Sequence, residues 1–215
     1  ARLLGTSALC SSLLCGGAAL AQPAPNTLPT GGAVTAGAST IAQSGAAMTI
    51  TQTSARSAIN WQGYSIGANA RVQYVQPNAQ SVSLNRVVGN DPSQIYGQLQ
   101  ANGQVWLINP NGILFGAGSR VDVAGLVAAT ANISDRAFMA GDSRLAFDEA
   151  GRSDAAVVNH GEITVREAGI AAFVAPAVQN HGTINARLGR VALGSANRFT
   201  LDLYINVRPV QLLDD

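Results

Sequence analysis

Apolar and polar residues alternate with a period of two along much of the chain. Met48-Thr49-Ile50-Thr51-Gln52-Thr53 and Arg71-Val72-Gln73-Tyr74-Val75 both show it. A half-buried strand needs this period, because successive side chains point to opposite faces. No 3.6-residue apolar period is sustained anywhere, which excludes helical bundles and helical repeats. Residues 91–100, Asp91 to Gln100, fit either one short helical turn or a strand, and local signals do not separate the two.

The second half repeats itself. Asn159-His160-Gly161-Glu162-Ile163 returns as Asn180-His181-Gly182-Thr183-Ile184, an offset of 21 residues. After each copy come a glycine and a small apolar run, Gly169-Ile170-Ala171-Ala172-Phe173 and Gly189-Arg190-Val191-Ala192-Leu193. A weaker copy runs from Gly118 through Gly125 to Val127. The unit is therefore glycine, short strand, glycine, short strand, then a longer return. Periods of this size signal solenoids, because one unit cannot bury a face without its neighbours.

Coiling the unit pairs each strand with its copy about 4.8 Å above and fills a narrow interior with small aliphatic side chains. Asn and Gly suit the corners, where the chain bends sharply. The expected fold is all-β, a right-handed parallel β-helix with an N-terminal cap and β-hairpin excursions. Roughly eight turns and a rod about 38 Å long follow from the strand spacing. Val121, Val123, Ile163, Val165, Ile184, Ala186, Val191 and Leu193 are expected to point inward in stacks.

Composition agrees with thin layers. Charged residues make up 12% of the chain and aromatics 5%, with 23 glycines; the charged share is about half the usual one. Every basic side chain is an arginine, and 13 of them are scattered against 12 acids. With no basic stripe, nucleic acid is not an expected partner.

Residues 1–21 read as a secretory signal peptide. Arg2 supplies a positive start, Leu3 to Leu20 an apolar stretch, and Ala19-Leu20-Ala21 a small-residue cleavage pattern. Cys10 and Cys15 lie inside it, so its removal leaves a mature chain without cysteine. An exported domain without disulfides suits threading through a second pore. Residues 22–32 form a Pro/Gly/Thr-rich extended leader, 33–204 the β-helix domain, and 205–215 an atypical tail that departs from the repeat.

Several motifs then fall in a definite order. They are Leu28-Pro29-Thr30-Gly31-Gly32, Ile59-Asn60-Trp61-Gln62-Gly63-Tyr64, Val75-Gln76-Pro77, Leu84-Asn85-Arg86-Val87, Pro92-Ser93-Gln94-Ile95, and Gly103-Gln104-Val105-Trp106-Leu107-Ile108-Asn109-Pro110-Asn111-Gly112-Ile113. Over about residues 28–204 this series resembles the N-terminal two-partner-secretion domain of the filamentous haemagglutinin family. The resemblance implies a non-enzymatic secretion domain of a large exoprotein. Its partner would be a dedicated outer-membrane β-barrel transporter with periplasmic receptor domains. The implied location is secreted or at the surface of a Gram-negative cell, reached through the periplasm, with a passenger of adhesin or haemagglutinin type that meets host-cell or cell-surface ligands. The resemblance also marks Asn109, Pro110, Asn111, Gly112 and Ile113 as the secretion and folding motif, and Asn85 to Gly89 as a weaker second one.

Taken on residues alone, Asn109-Pro110-Asn111-Gly112 is a turn, since Pro fixes φ and Asn-Gly accepts left-handed geometry. His160 and His181 lie one coil apart, so their rings stack. Two imidazoles fall short of the three or four ligands of a usual metal site, and corner residues are the expectation. No cofactor, metal or catalytic residue is therefore expected. The alternative is a β-helical polysaccharide-active enzyme built on the acidic loop 142–154, with Asp142, Asp148, Glu149 and Asp154 beside Arg144 and Arg152. Ordinary loop polarity favours a solvated loop there. Trp61 and Trp106 read as packing residues unless both are exposed.

Overall fold

A computed structural model describes residues 21–202; residues 1–20 of the expected signal peptide, 203–204 at the end of the expected β-helix domain and the tail 205–215 lie outside them. The chain opens with β1 (Ala33–Ala36), β2 (Ser39–Ser44), β3 (Ala47–Gln52), β4 (Arg56–Trp61), β5 (Arg71–Val75) and β6 (Val82–Val87). Two coils of three strands follow. The first holds β7 (Ser93–Ile95), β8 (Gln98–Ala101) and β9 (Gln104–Ile108), the second β10 (Ile113–Phe115), β11 (Arg120–Val123) and β12 (Gly125–Ala129). An excursion then carries helix α1 (Asp135–Ala140) and β13 (Arg144–Phe147). The coiling resumes with β14 (Ala156–Asn159), β15 (Glu162–Val165) and β16 (Ile170–Ala175). The last coil is β17 (Ala177–Asn180), β18 (Thr183–Ala186) and β19 (Arg190–Ser195), and β20 (Phe199–Asp202) leaves it.

The strands stack into three faces of one solenoid. The first runs β1-β4-β6-β9-β12-β16-β19, the second β2-β3-β5-β8-β11-β15-β18, and the third β7-β10-β14-β17. Pairing within them is parallel except at the amino-terminal end, where β1 on β4 and β2 on β3 are antiparallel. The two long faces hold seven levels, fewer than the eight turns expected, because residues of the excursion are diverted outward. The glycine pairs of the repeat bracket β11, β15 and β18, so the second face was legible in the spacing. The longer return hides the third face, whose strands β14 and β17 are four residues each. Residues 91–100 resolve as two strands, β7 and β8, which Tyr96 and Gly97 separate. No helical turn forms there.

Register places the repeat in vertical columns. Val121 pairs with Ile163 and Ile163 with Ile184, while Val123, Val165 and Ala186 form the next column. These side chains fill the interior, together with Ile50, Val72, Leu99, Val105, Leu107 and Phe173. Val191 and Leu193 are in register with the inward Ala171 and Phe173. They are nevertheless 48% and 47% exposed, since β19 ends its face and nothing in the described residues stacks above it.

A second apolar cluster lies outside the solenoid. Leu84, Trp106, Val127 and Val174 on the outer side of the first face meet Ile133, Phe138, Leu145, Phe147, Phe199 and Leu201. The excursion and β20 form this cover, with β13 paired antiparallel to β20 and Phe147 stacked on Phe199 at 4.3 Å. The stretch expected to be a solvated loop is thus half structural. Leu145 and Phe147 are buried, while the acids Asp142, Asp148, Glu149 and Asp154 face water together with Arg144, Ala146 and Arg152. Arg86 ties the excursion down. It donates to Asn132 Oδ1 (2.6 Å), Asn60 Oδ1 (2.9 Å) and the Ile133 carbonyl (2.6 Å), and pairs with Asp135 at 2.9 Å.

The amino-terminal end has its own cover. Leu28 and Pro29 are buried, Thr30 bridges to Gly63, and the Thr27 and Pro25 carbonyls accept from Gly67 and Asn69 N–H. A Cβ on Gly67 would lie 2.2 Å from the Ala24 carbonyl, so only glycine lets the leader approach this closely.

Candidate functional site

Asn109-Pro110-Asn111-Gly112 joins β9 of the first face to β10 of the third. Gly112 N–H donates to the Asn109 carbonyl at 3.0 Å and closes a tight turn with Pro110 and Asn111 at its centre. Gly112 has φ +110°, and a Cβ there would stand 3.0 Å from the Ala156 carbonyl of the next coil. Both the left-handed backbone and the coil above require glycine at this position.

The two asparagine side chains fasten this corner to the level below. Asn109 is fully buried; its Nδ2 donates to the Asp91 carbonyl and Ser93 Oγ, each at 3.0 Å, and its Oδ1 accepts from Asn111 N–H at 2.9 Å. Asn111 Nδ2 donates to the Gly89 carbonyl at 2.9 Å. The Pro110 carbonyl accepts from Arg152 N–H at 3.0 Å, where the excursion returns. Ile113 is buried and pairs with Ser93 below and Val157 above. Five residues of one motif therefore connect three levels and the excursion. None of the five carries an ionisable or nucleophilic group, and what the cluster does is hold neighbouring levels in register.

The weaker motif is built differently. Asn85 points into the solenoid and is wholly buried. Its Oδ1 accepts from Trp61 Nε1 (3.0 Å) and the Tyr74 hydroxyl (2.7 Å), while Nδ2 donates to the Ser83 carbonyl at 3.1 Å. Tyr64 and Tyr74 share a further hydrogen bond at 2.9 Å. Burial pushes both phenols well above their ordinary pKa, with the Tyr64 neighbour raising Tyr74 further, so the network is neutral. Gly89 passes so close to Gln62 that an added Cβ would lie 2.0 Å from that carbonyl. Through Gly89 and Asn111 the two motifs meet.

Sequence reasoning missed the buried glutamines at the corner leading to the first face. Gln76 Nε2 donates to Gln52 Oε1 (3.1 Å) and to the Ser81 carbonyl (3.1 Å), and its Oε1 accepts from Gly103 N–H at 3.1 Å. Gln52 and Gln76 end period-two strands at matching levels, which is the signal that could have found them.

The other candidates separate. His160 and His181 do stack, with centroids 4.9 Å apart and planes at 12°. Trp61 and Trp106 are both buried and offer no exposed platform. Asp154 forms an exposed pair with Arg152 at 2.9 Å, whose hydrogen bond and charge hold its carboxyl below the usual range. Glu149 bonds Asn132 instead, and the described residues hold no group of three or more metal-ligating side chains. The acidic loop is dispersed, and the enzyme alternative finds no support.

Beside the corner that the leader covers, the amino-terminal ends of the first and second faces stay open to pairing. β1 and β2 terminate the first and second faces, and most of their residues are exposed. From Ala33 to Ser44 they carry no charge and no proline, two devices by which edge strands usually discourage added strands.

Comparison with known proteins places this architecture. Over 193 residues the chain is 36% identical to a heme/hemopexin-binding protein of Haemophilus influenzae, covering 87% of this chain and 21% of that protein. A second protein of the same name and organism is 45% identical over 86 residues, 40% of this chain and 9% of the relative. The crystal structure of the HMW1 secretion domain from Haemophilus influenzae superposes with a TM-score of 0.76 at 32% identity, over 87% of this chain and 50% of that one. The family model for the TPS secretion domain matches residues 26–209. The chain therefore belongs to the TPS secretion domain family, the domain of two-partner-secretion exoproteins that TpsB transporters recognise.

Proposed function

We propose that this domain crosses the inner membrane on its signal peptide and is captured in the periplasm by receptor domains of its outer-membrane transporter. Capture uses the amino-terminal edge, and the Asn109 turn then sets the fold on the far side. The observation that carries the reading is the contrast between ends and middle. Among the described residues every inner strand of the two long faces is paired on both sides, so on those faces backbone donors and acceptors for an added strand remain at β1, β2, β18 and β19. Of these, β1 and β2 are made first and lack charges.

The turn has a separate task. Without Asn111 the Gly89 carbonyl loses its donor, a cost of about 1 kcal/mol, and the corner that fixes β10 over β7 loosens. The test co-expresses chain and partner transporter and measures protein in medium and periplasm. Asn111→Ala and deletion of residues 28–40 should each block release to the medium while inner-membrane export continues. The Asn111 variant should be protease-sensitive when purified, whereas the deletion should lose binding to isolated receptor domains. Release of both variants at the unmodified level would remove these elements from export. Equal release without any transporter would sink the reading.

The passenger is proposed to act at the cell surface as an adhesin. A second reading, haem or hemopexin binding, is favoured by the names of the two relatives. Binding assays on the full-length exoprotein with haem and hemopexin separate the two.

A further inference from the structure

The stacked histidines are not explained by the corners they occupy. Asn and Gly make those corners. Asn159 Nδ2 donates to Asn180 Oδ1 at 2.8 Å, Asn159 Oδ1 accepts from Gly161 N–H at 3.0 Å, and a Cβ on Gly182 would meet the Gly161 carbonyl at 2.2 Å. The residue between Asn and Gly has no such constraint. In the coils beneath, the positions equivalent to His160 are Tyr96 and Gly116, whose N–H groups make the same bond to the level below. An imidazole is thus optional for the fold, yet two successive coils carry one.

We propose that His160 and His181 form an open two-imidazole site for a divalent transition metal of the zinc or nickel class, stapling the last coil to the one before it. The rings are exposed and nearly parallel, with centroids 4.9 Å apart. A metal needs each nitrogen at about 2.0–2.1 Å, which small rotations of two solvent-facing rings supply. His181 Nε2 lies 3.3 Å from Gln179 Oε1. Donation to that amide oxygen leaves Nδ1 with its lone pair, the arrangement by which outer partners orient a ligating histidine. The cleft around the rings is lined by Ser119, Arg120, Glu162 and Thr183. Glu162 lines the cleft without joining the pair as a third ligand, and the buried Ser119 hydroxyl there has no hydrogen-bond partner. Imidazole ligands suit zinc, copper and nickel. Two protein ligands, with water completing the shell, make a site weaker than structural or catalytic zinc centres and free of the ligand count those demand.

The chain has two histidines in all, and both cysteines lie before residue 21, so imidazole-dependent binding by the mature domain has a single location. The experiment titrates Zn²⁺ and Ni²⁺ by calorimetry into the domain, purified on a tag without histidine. It also follows amide hydrogen exchange of residues 177–195 with and without Zn²⁺. One equivalent should bind, His160→Asn and His181→Asn should each weaken binding about ten-fold or more, and zinc should slow exchange in the unmodified domain alone. Circular dichroism should show both variants folded, because the corner asparagines and glycines are untouched. Absence of saturable binding overturns the proposal, as does equal affinity in both variants. Exchange that zinc leaves unchanged overturns the staple.

Discussion

Two copies of one motif, a coil apart, live in different surroundings. In Asn159-His160-Gly161-Glu162-Ile163 the asparagine and isoleucine are fully buried; in Asn180-His181-Gly182-Thr183-Ile184 the asparagine is exposed and the isoleucine half-buried. The difference continues up the first face, where Phe173 is sealed while its partner Leu193 is nearly half open. Backbone and register are alike, since Ile163 and Ile184 pair directly. What differs is the number of neighbours. A coil in a solenoid acquires its burial from the levels above and below, so a residue's contribution is set by position in the stack more than by local sequence.

The strongest test of that claim is a buried charge in the lower copy. Ile163 sits between Val121 and Ile184 with no water in reach. Ile163→Asp should cost about 4 kcal/mol or more, because an unpaired carboxylate there has no donor to meet it. Thermal unfolding should fall by roughly 10 °C for a domain of this size. An unchanged midpoint would mean that the column is not the core.

Asn159→Ala probes the polar part of the same copy. Gly161 N–H loses its side-chain acceptor in a buried corner, and Asn180 loses its donor. About 2 kcal/mol should be lost. Asn180→Ala leaves the Gly161 bond intact, so its effect should be less than half as large. Chemical denaturation of the two variants decides this, and equal midpoints would contradict the dependence on neighbours.

Legibility in the sequence followed the same physics. The period of two and the offset of 21 residues announced strands and coiling, since both follow from directly repeated backbone geometry. Glycines 118, 125, 161, 169, 182 and 189 bracketed the second-face strands because corners demand small residues. The third face was hidden, its strands being short and lacking a glycine pair of their own. The cover over the first face was hidden for a different reason. Phe147 meets Phe199 across 52 positions of chain, and no local pattern encodes such a partner. The Asn109 turn was readable as a turn, whereas its bonds to Gly89, Asp91, Ser93 and Arg152 depend on coil register that only the fold supplies.

The smallest effect is the most discriminating. On the repeat alone, Ile184 is equivalent to Ile163, and an aspartate there should be equally ruinous. In the fold its side chain packs on the core from one side only, at a level where Leu188 is 81% exposed. A carboxylate at position 184 keeps access to water and avoids most of the desolvation cost. Ile184→Asp should therefore destabilise the isolated domain by only about 1 kcal/mol, a quarter of the effect at Ile163. Extending the chain by one further coil of the same repeat should close that gap, because a level stacked above Ile184 removes the water. The measurement compares the pair of aspartate variants in the short domain and in the extended chain. A ratio that stays the same in both would show that local sequence, and not stacking, sets the cost.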